Sequence, residues 1–165
     1  MQLAEIPLSV WRKRSQTFLF RGQAIRYWTA GQGEPLLLIH GFPSASWDWH
    51  YLWQPLAQRY RVIACDMLGF GDSAKPVNHD YSLLEQADLQ QALLAHLGVE
   101  QPLHLLAHDY GDSVAQELLA RHYEARPIIH PSGLSRSFCI STGRWVSGKS
   151  PPLRNTQLAR SMRAS

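Results

Sequence analysis

The apolar positions of this chain fall into short runs, and their spacing shifts from strand-like to helix-like along its length. Gln16-Thr17-Phe18-Leu19-Phe20 and Gln23-Ala24-Ile25-Arg26-Tyr27-Trp28 are aromatic-rich and joined only by Arg21-Gly22, which predicts a β-hairpin. Gly31 to Pro35 reads as a loop. Leu36-Leu37-Leu38-Ile39 is uninterrupted, the pattern of a strand covered on both faces, and Arg61-Val62-Ile63-Ala64-Cys65 repeats it. Between them, residues 47–59 are Trp-rich and read as a helix or helical turn. From Leu83 to Leu97, the residues Leu83, Leu84, Ala87, Leu94 and Leu97 recur on one helical face, with Gly98 placed to end the helix. A third apolar strand, 103–107, runs into a helix over about 111–123. The order β-β-β-α-β-α-β-α predicts an α/β fold: a mostly parallel sheet flanked by helices.

The junction after the third buried strand is unusually tight. The apolar run ends at Ala107, Gly111 already belongs to the helix, and Asp109 lies between these small residues. A sharp strand-to-helix turn needs small neighbours, because a large side chain would clash there. Such a turn pushes its apex side chain out at the carboxyl end of the strand, where open α/β sheets place their chemistry. Asp109 is therefore the candidate nucleophile, with a helix cap as its plainer role. Ser113, in Gly111-Asp112-Ser113-Val114-Ala115, offers a looser match to a serine nucleophile but lies about one turn into the helix.

Charge divides the chain. All thirteen acids lie at or before Glu124; residues 1–124 carry nine Lys and Arg and a net charge of −4, whereas residues 125–165 carry seven and no acid, a net charge of +7. This segment is rich in Ser, Pro, Arg and Gly, and its only apolar clusters are Ile128-Ile129 and Phe138-Cys139-Ile140. It is expected to be disordered or poorly packed, which divides the chain into a core over 1–126 and a basic tail over 127–165. The tail lacks the interleaved aromatics of a nucleic-acid binder, so no nucleic-acid partner is expected. No run approaches the roughly 18 apolar residues of a membrane span, and Arg12-Lys13-Arg14 follows rather than precedes an apolar stretch, the wrong order for a secretory signal. A cytoplasmic protein without a membrane partner is expected. Cys65 and Cys139 have no metal-ligand spacing; no metal and no cofactor are expected, and Cys65 reads as a small buried hydrophobe.

Four segments together resemble the α/β-hydrolase superfamily: His40-Gly41-Phe42-Pro43; Asp66-Met67-Leu68-Gly69-Phe70-Gly71-Asp72-Ser73 with Lys75-Pro76; the helix from Tyr81 to Gly98; and His108-Asp109-Tyr110-Gly111-Asp112. Within it they look like the epoxide hydrolase and haloalkane dehalogenase branch, whose nucleophile is Asp. The resemblance covers roughly residues 16–126. It implies the amino-terminal half of the fold, with Asp109 attacking an electrophilic carbon to form an alkyl-enzyme ester that an activated water then hydrolyses. It also implies that the backbone N–H groups of Phe42 and Tyr110 form the oxyanion hole. His40, Gly41, Pro43 and Asp66 are implied as loop-structuring residues, with His40 not the base. Tyr110 stands where a dehalogenase would have Trp, and Phe42 looks more like the epoxide hydrolase side, so the substrate branch stays open.

In that superfamily the acid, the His and the cap follow the nucleophile in the chain. After Asp109 the only histidines are His122 and His130, and neither is expected to be the base. The expectation is a small-molecule hydrolase lineage that is inactive alone. A different reading is a non-catalytic remnant that self-associates through its sheet edge, since strand 103–107 lacks a following neighbour. The tail suggests how this would arise. One permitted coding of Val146-Ser147-Gly148-Lys149-Ser150-Pro151-Pro152, read one base later, gives Phe-Pro-Glu-Ser-His-Arg, which matches the family's loop. A frameshift near residue 127 is thus expected to show as a family-like frame in the coding DNA.

Overall fold

Leu36, Leu37, Leu38 and Ile39 are almost wholly buried, and the sheet is built outward from them. The structure, a computed structural model, describes residues 5–100, 103–123, 136–141 and 144–146, the last two stretches as backbone. A short helix α1 (Leu8–Lys13) precedes the hairpin β1 (Gln16–Phe20) and β2 (Gln23–Ala30). The hairpin closes through Arg21 and Gly22 with Phe20 opposite Gln23, the two-residue geometry whose twist matches its strands. There follow β3 (Glu34–Ile39), a 3-10 turn over Ser46–Trp49, α2 (His50–Ala57), β4 (Tyr60–Cys65), α3 (Leu83–His96), β5 (His104–His108), α4 (Tyr110–Tyr123), β6 (Arg136–Ser141) and β7 (Arg144–Val146).

The strand order is β1-β2-β4-β3-β5-β6-β7. β4, β3, β5 and β6 run parallel, and antiparallel pairs flank them. The chain leaves β3 toward β4 on one side and leaves β5 toward β6 on the other. The carboxyl ends of β3 and β5 therefore flank a point where the winding reverses, which is where such sheets open a crevice.

Two apolar layers cover the sheet. One joins Leu37, Ile39, Ile63 and Leu105 to Ala87, Leu89, Leu93 and Leu94 of α3 and to Val114, Ala115 and Leu118 of α4. The other joins Leu36, Leu38, Val62 and Leu106 to a tryptophan cluster. Trp11 stacks on Trp28 at 5.1 Å and meets Trp53 edge-on at 4.8 Å. Its indole N–H donates to Ser46 Oγ (3.2 Å), and Arg12 Nε donates to Asp72 Oδ2 (2.8 Å). Thus α1, whose short length gave no readable periodicity, is fastened to two loops at the carboxyl ends of the strands.

Several expectations change. Phe138-Cys139-Ile140, an apolar cluster of the basic segment, lies in β6, paired with β5 from His104 opposite Arg136 to His108 opposite Ile140. The edge of β5 that was expected to be open is occupied. Composition concealed a strand too short to show alternation. The end of the core, 124–126, and the remaining tail positions, 127–135, 142–143 and 147–165, lie outside the described residues. Pro35 sits at the second residue of β3 rather than in a loop, near a strand start where the missing N–H is tolerated. Helix α4 begins at Tyr110, leaving one residue between strand and helix. Leu84 is exposed, and the core face of α3 carries Gln86 and Gln90 instead. Gln86 accepts from Leu68 N–H (3.1 Å) and donates to Leu68 C=O (2.9 Å), so its amide satisfies buried backbone that an apolar residue would leave unpaired, while Gln90 pairs with the Cys65 thiol.

Candidate active site

Asp109 occupies the single position between β5 and α4, with φ at +55°. This left-handed conformation is unfavourable for most side chains and is tolerated best by Gly, Asn and Asp. Its cause is space. A Cβ on Gly111 would lie 2.5 Å from Ile39 O and 2.6 Å from His40 O; a Cβ on Gly41 would lie 2.6 Å from Asp109 Cβ. The elbow is thus wedged against the end of β3, and its carboxylate projects into solvent.

Phe42 N–H donates to Asp109 Oδ1 at 2.7 Å. The Phe42 and Tyr110 backbone N–H groups hold the carboxyl below the usual carboxylate range, against a small opposing effect of burial, and the neighbouring His108 adds to this. Asp109 is therefore the ionised, acceptor-only form that a nucleophile requires. An aromatic rim stands around it: Phe70 lies 6.2 Å from both Phe42 and Tyr110, and Phe42 is 69% exposed.

The loop that delivers Phe42 is held from beneath. His40 is fully buried. Its Nε2 accepts from Met67 N–H (3.0 Å), which leaves Nδ1 as the protonated nitrogen, donating to Gly41 O at 2.8 Å. Burial lowers its pKa, and both ring nitrogens are engaged away from Asp109. Pro43 follows Phe42 through a cis peptide bond. Asp66, at the end of β4, is the hub of the next loop. Its Oδ1 accepts from Ser46 N–H (2.9 Å) and Ser46 Oγ (2.6 Å), and its Oδ2 accepts from Asp72 N–H (2.7 Å). Ser73 Oγ closes the loop by donating to Asp66 O (2.6 Å) and accepting from Arg26 N–H (2.9 Å).

A second charged group lies beside Asp109. His108 Nε2 stands 3.0 Å from Asp48 Oδ2. The contact falls outside strict hydrogen-bond geometry. Asp48 raises the His108 pKa above the ordinary imidazole value, although partial burial opposes it. Burial pushes Asp48 up, but contacts with His108 and Ser44 outweigh this and leave it below its ordinary value. Asp112, one turn into α4, is buried; its pKa is raised by that burial, and its Oδ1 has no hydrogen-bond partner among the described residues.

Other sequence candidates lie elsewhere. Ser113 is the fourth residue of α4, within the helix rather than at its apex. His122 is twelve residues along α4 from Tyr110, roughly 18 Å at helical rise. His130 lies outside the described residues. Trp49 and Trp53 of the Trp-rich segment are buried in the core. Cys65 is buried with its thiol pushed up to about 12 by desolvation, the state of an unreactive core thiol. Among the described residues no cluster of His, Cys, Asp and Glu could hold a metal, and no helix is long and apolar enough to cross a membrane. Sequence reasoning missed His108, Asp48, Ser44 and Ser46; only the imidazole directly before Asp109 was a visible signal.

A one-residue left-handed elbow after a central parallel strand, facing backbone N–H groups from the preceding strand's loop, defines a class. The sequence model of the alpha/beta hydrolase fold matches residues 34–162, past residue 126 where the motif resemblance ends, and the chain belongs to that family. The run His108 to Arg121 looks like mesoderm-specific transcript protein. The human mesoderm-specific transcript homolog protein is 44% identical over 144 residues, covering 82% of this chain and 42% of that protein. A cis-3-alkyl-4-alkyloxetan-2-one decarboxylase of Shewanella oneidensis is 32% identical over 139 residues, covering 82% of this chain and 41% of the enzyme. The solved epoxide hydrolase CorEH superposes with a TM-score of 0.64 at 30% identity, covering 76% of this chain and 41% of that one. The chain thus spans about two fifths of the length of the curated relatives it matches.

Proposed function

We propose that Asp109 is the nucleophile of an alkylation half-reaction on a small electrophile: an epoxide or related strained oxygen ring, or a carbon–halogen bond. The observation that carries this reading is the Phe42 N–H bond to Asp109 Oδ1 at 2.7 Å on a left-handed elbow. It fixes one carboxylate oxygen and leaves Oδ2 to attack. As the O–C bond forms, the carbon–oxygen or carbon–halogen bond breaks and its electron pair departs on the alkoxide or halide. The product is an ester on Asp109 whose carbonyl oxygen is Oδ1. When water attacks that ester, negative charge develops on Oδ1, where the Phe42 and Tyr110 N–H groups are already aimed. The relatives named as an oxetan-2-one decarboxylase and an epoxide hydrolase favour a strained oxygen ring, and the chemistry calls on no metal or cofactor.

By the family's chain order, the water-activating His and its acid follow the nucleophile beyond the matched motifs. Among the described residues the groups for alkylation are the ones brought together, and an ester on Asp109 is the expected product. Intact mass after incubation with an aryl epoxide or a bromoalkane tests this. One adduct, localised to Asp109 and absent in Asp109→Asn, is the expected result. Multiple turnover without an adduct would overturn an accumulating ester. No reaction would favour a non-catalytic protein. An adduct on Ser113 with an activated ester would favour serine chemistry.

A further inference from the structure

The Gly41–Phe42 peptide supplies the donor to Asp109 on its amide side, and its carbonyl side is also held. Gly41 O accepts from His40 Nδ1 at 2.8 Å, and Ser44 Oγ lies 3.3 Å away in donor geometry. The same Ser44 hydroxyl makes a short hydrogen bond to Asp48 Oδ2. Asp48 Oδ2 is also the atom that faces His108 Nε2. His108 is the residue before Asp109, so the contacts close a ring: His108, Asp48, Ser44, the Gly41–Phe42 peptide, Asp109. A hydroxyl has one proton and can donate it to only one of two acceptors.

We propose that Ser44, Asp48 and His108 are positioning residues that set the Gly41–Phe42 peptide, and that the charge on His108 decides which acceptor Ser44 serves. With His108 protonated, its positive charge weakens Asp48 Oδ2 as an acceptor, and the Ser44 proton shifts toward Gly41 O. With His108 neutral, Asp48 Oδ2 draws the Ser44 proton to itself and the peptide keeps His40 alone. The groups facing His108 are Asp48 in the 3-10 turn, His40 after β3, and Asp109 and Asp112 at the start of α4. Three are acids, so the protonated form is the one the site favours. Rising pH is then expected to loosen the donor at Phe42.

The kinetic arm of this proposal rests on Asp109 being the nucleophile; a spectroscopic arm does not. In the full chain, the Phe42 amide resonance is expected to titrate together with the His108 imidazole, and to stop doing so in Ser44→Ala. The rate of Asp109 alkylation by an aryl epoxide is expected to fall about tenfold in Ser44→Ala, the order of loss that a slightly misplaced reacting group causes. It is also expected to lose its alkaline decline, and Ser44→Thr, which keeps the hydroxyl, is expected to restore both. A Phe42 amide indifferent to His108 titration would overturn the proposal, as would a Ser44→Ala variant with the parent rate and pH profile. Coupled titration with no alkylation in any variant would refute the nucleophile and leave the positioning circuit standing.

Discussion

Gly41 and Asp109 pass so closely that a methyl group on Gly41 would stand 2.6 Å from the Asp109 Cβ and 2.9 Å from its Oδ1. The contact joins the ends of two parallel strands, and neither can retreat without breaking the Phe42 hydrogen bond. Gly41→Ala is expected to abolish alkylation of Asp109 while leaving the far-ultraviolet circular dichroism of the fold unchanged. A variant that alkylates at the parent rate would show that the elbow tolerates more room than this packing allows.

The backbone at position 109 reverses the usual ranking of Ala over Gly. At φ +55° a Cβ is unfavourable by about 1–2 kcal/mol. Asp109→Gly is therefore expected to be more stable than Asp109→Ala by about 1 kcal/mol in urea unfolding, with both inactive. Equal midpoints would argue against a left-handed elbow.

Asp66 accepts three hydrogen bonds while buried, and an amide cannot reproduce them. Asp66→Asn would set an NH2 group against an N–H donor. The expected loss is about 2–3 kcal/mol, the range for a buried polar group left unsatisfied, read as a lower denaturant midpoint. A neutral result would mean that the loop is held by other contacts.

The His108–Asp48 pair gives stability a signed pH dependence. His108 has a raised pKa when folded, so its contribution is complete below the ordinary imidazole value of 6.5 and is lost as pH rises through the folded value. Asp48 has a lowered pKa, so its contribution is present above the ordinary 3.8 and is lost as pH falls through the folded value. Melting temperature measured across this range is expected to decline on the alkaline side in the parent chain. His108→Gln is expected to flatten that decline, and an unchanged slope would deny the pair its role.

Trp11 fills the space between Trp28 and Trp53 and donates to Ser46. Trp11→Ala is expected to cost about 3–5 kcal/mol, as for other buried aromatic truncations. The amide resonances of residues 44–48 are expected to broaden in that variant, whereas an undisturbed loop would confine the role of Trp11 to packing.

Much of this architecture was legible because its signals are local. The runs Leu36–Ile39 and Val62–Cys65 are too apolar to lie anywhere but between layers, and Ala107, Asp109 and Gly111 leave room only for a sharp turn. What was hidden depends on neighbours distant in the chain. Gln86 and Gln90 look like the polar side of α3 until Leu68 and Cys65 are seen to need partners. Leu84 fits an apolar stripe by spacing yet faces outward. Asp48, Ser44 and His108 carry no common motif; their relation exists only where β3 and β5 lie side by side. β6 escaped notice because its basic, Ser-rich surroundings masked a short strand whose partner is β5.

The attachment of α1 gives residues 8–13 a remote hold on the Asp109 site. Trp11 grips Ser46, which grips Asp66, and Arg12 grips Asp72 on the other side of the same hub. A fusion partner, a protease nick near Ser15 or an altered start site would slacken both loops without disturbing a single strand pairing. Such a chain would keep its circular dichroism while Asp109 lost its aim. Loss of reactivity on changing the amino terminus would then report a slipped tether, not a misfolded protein.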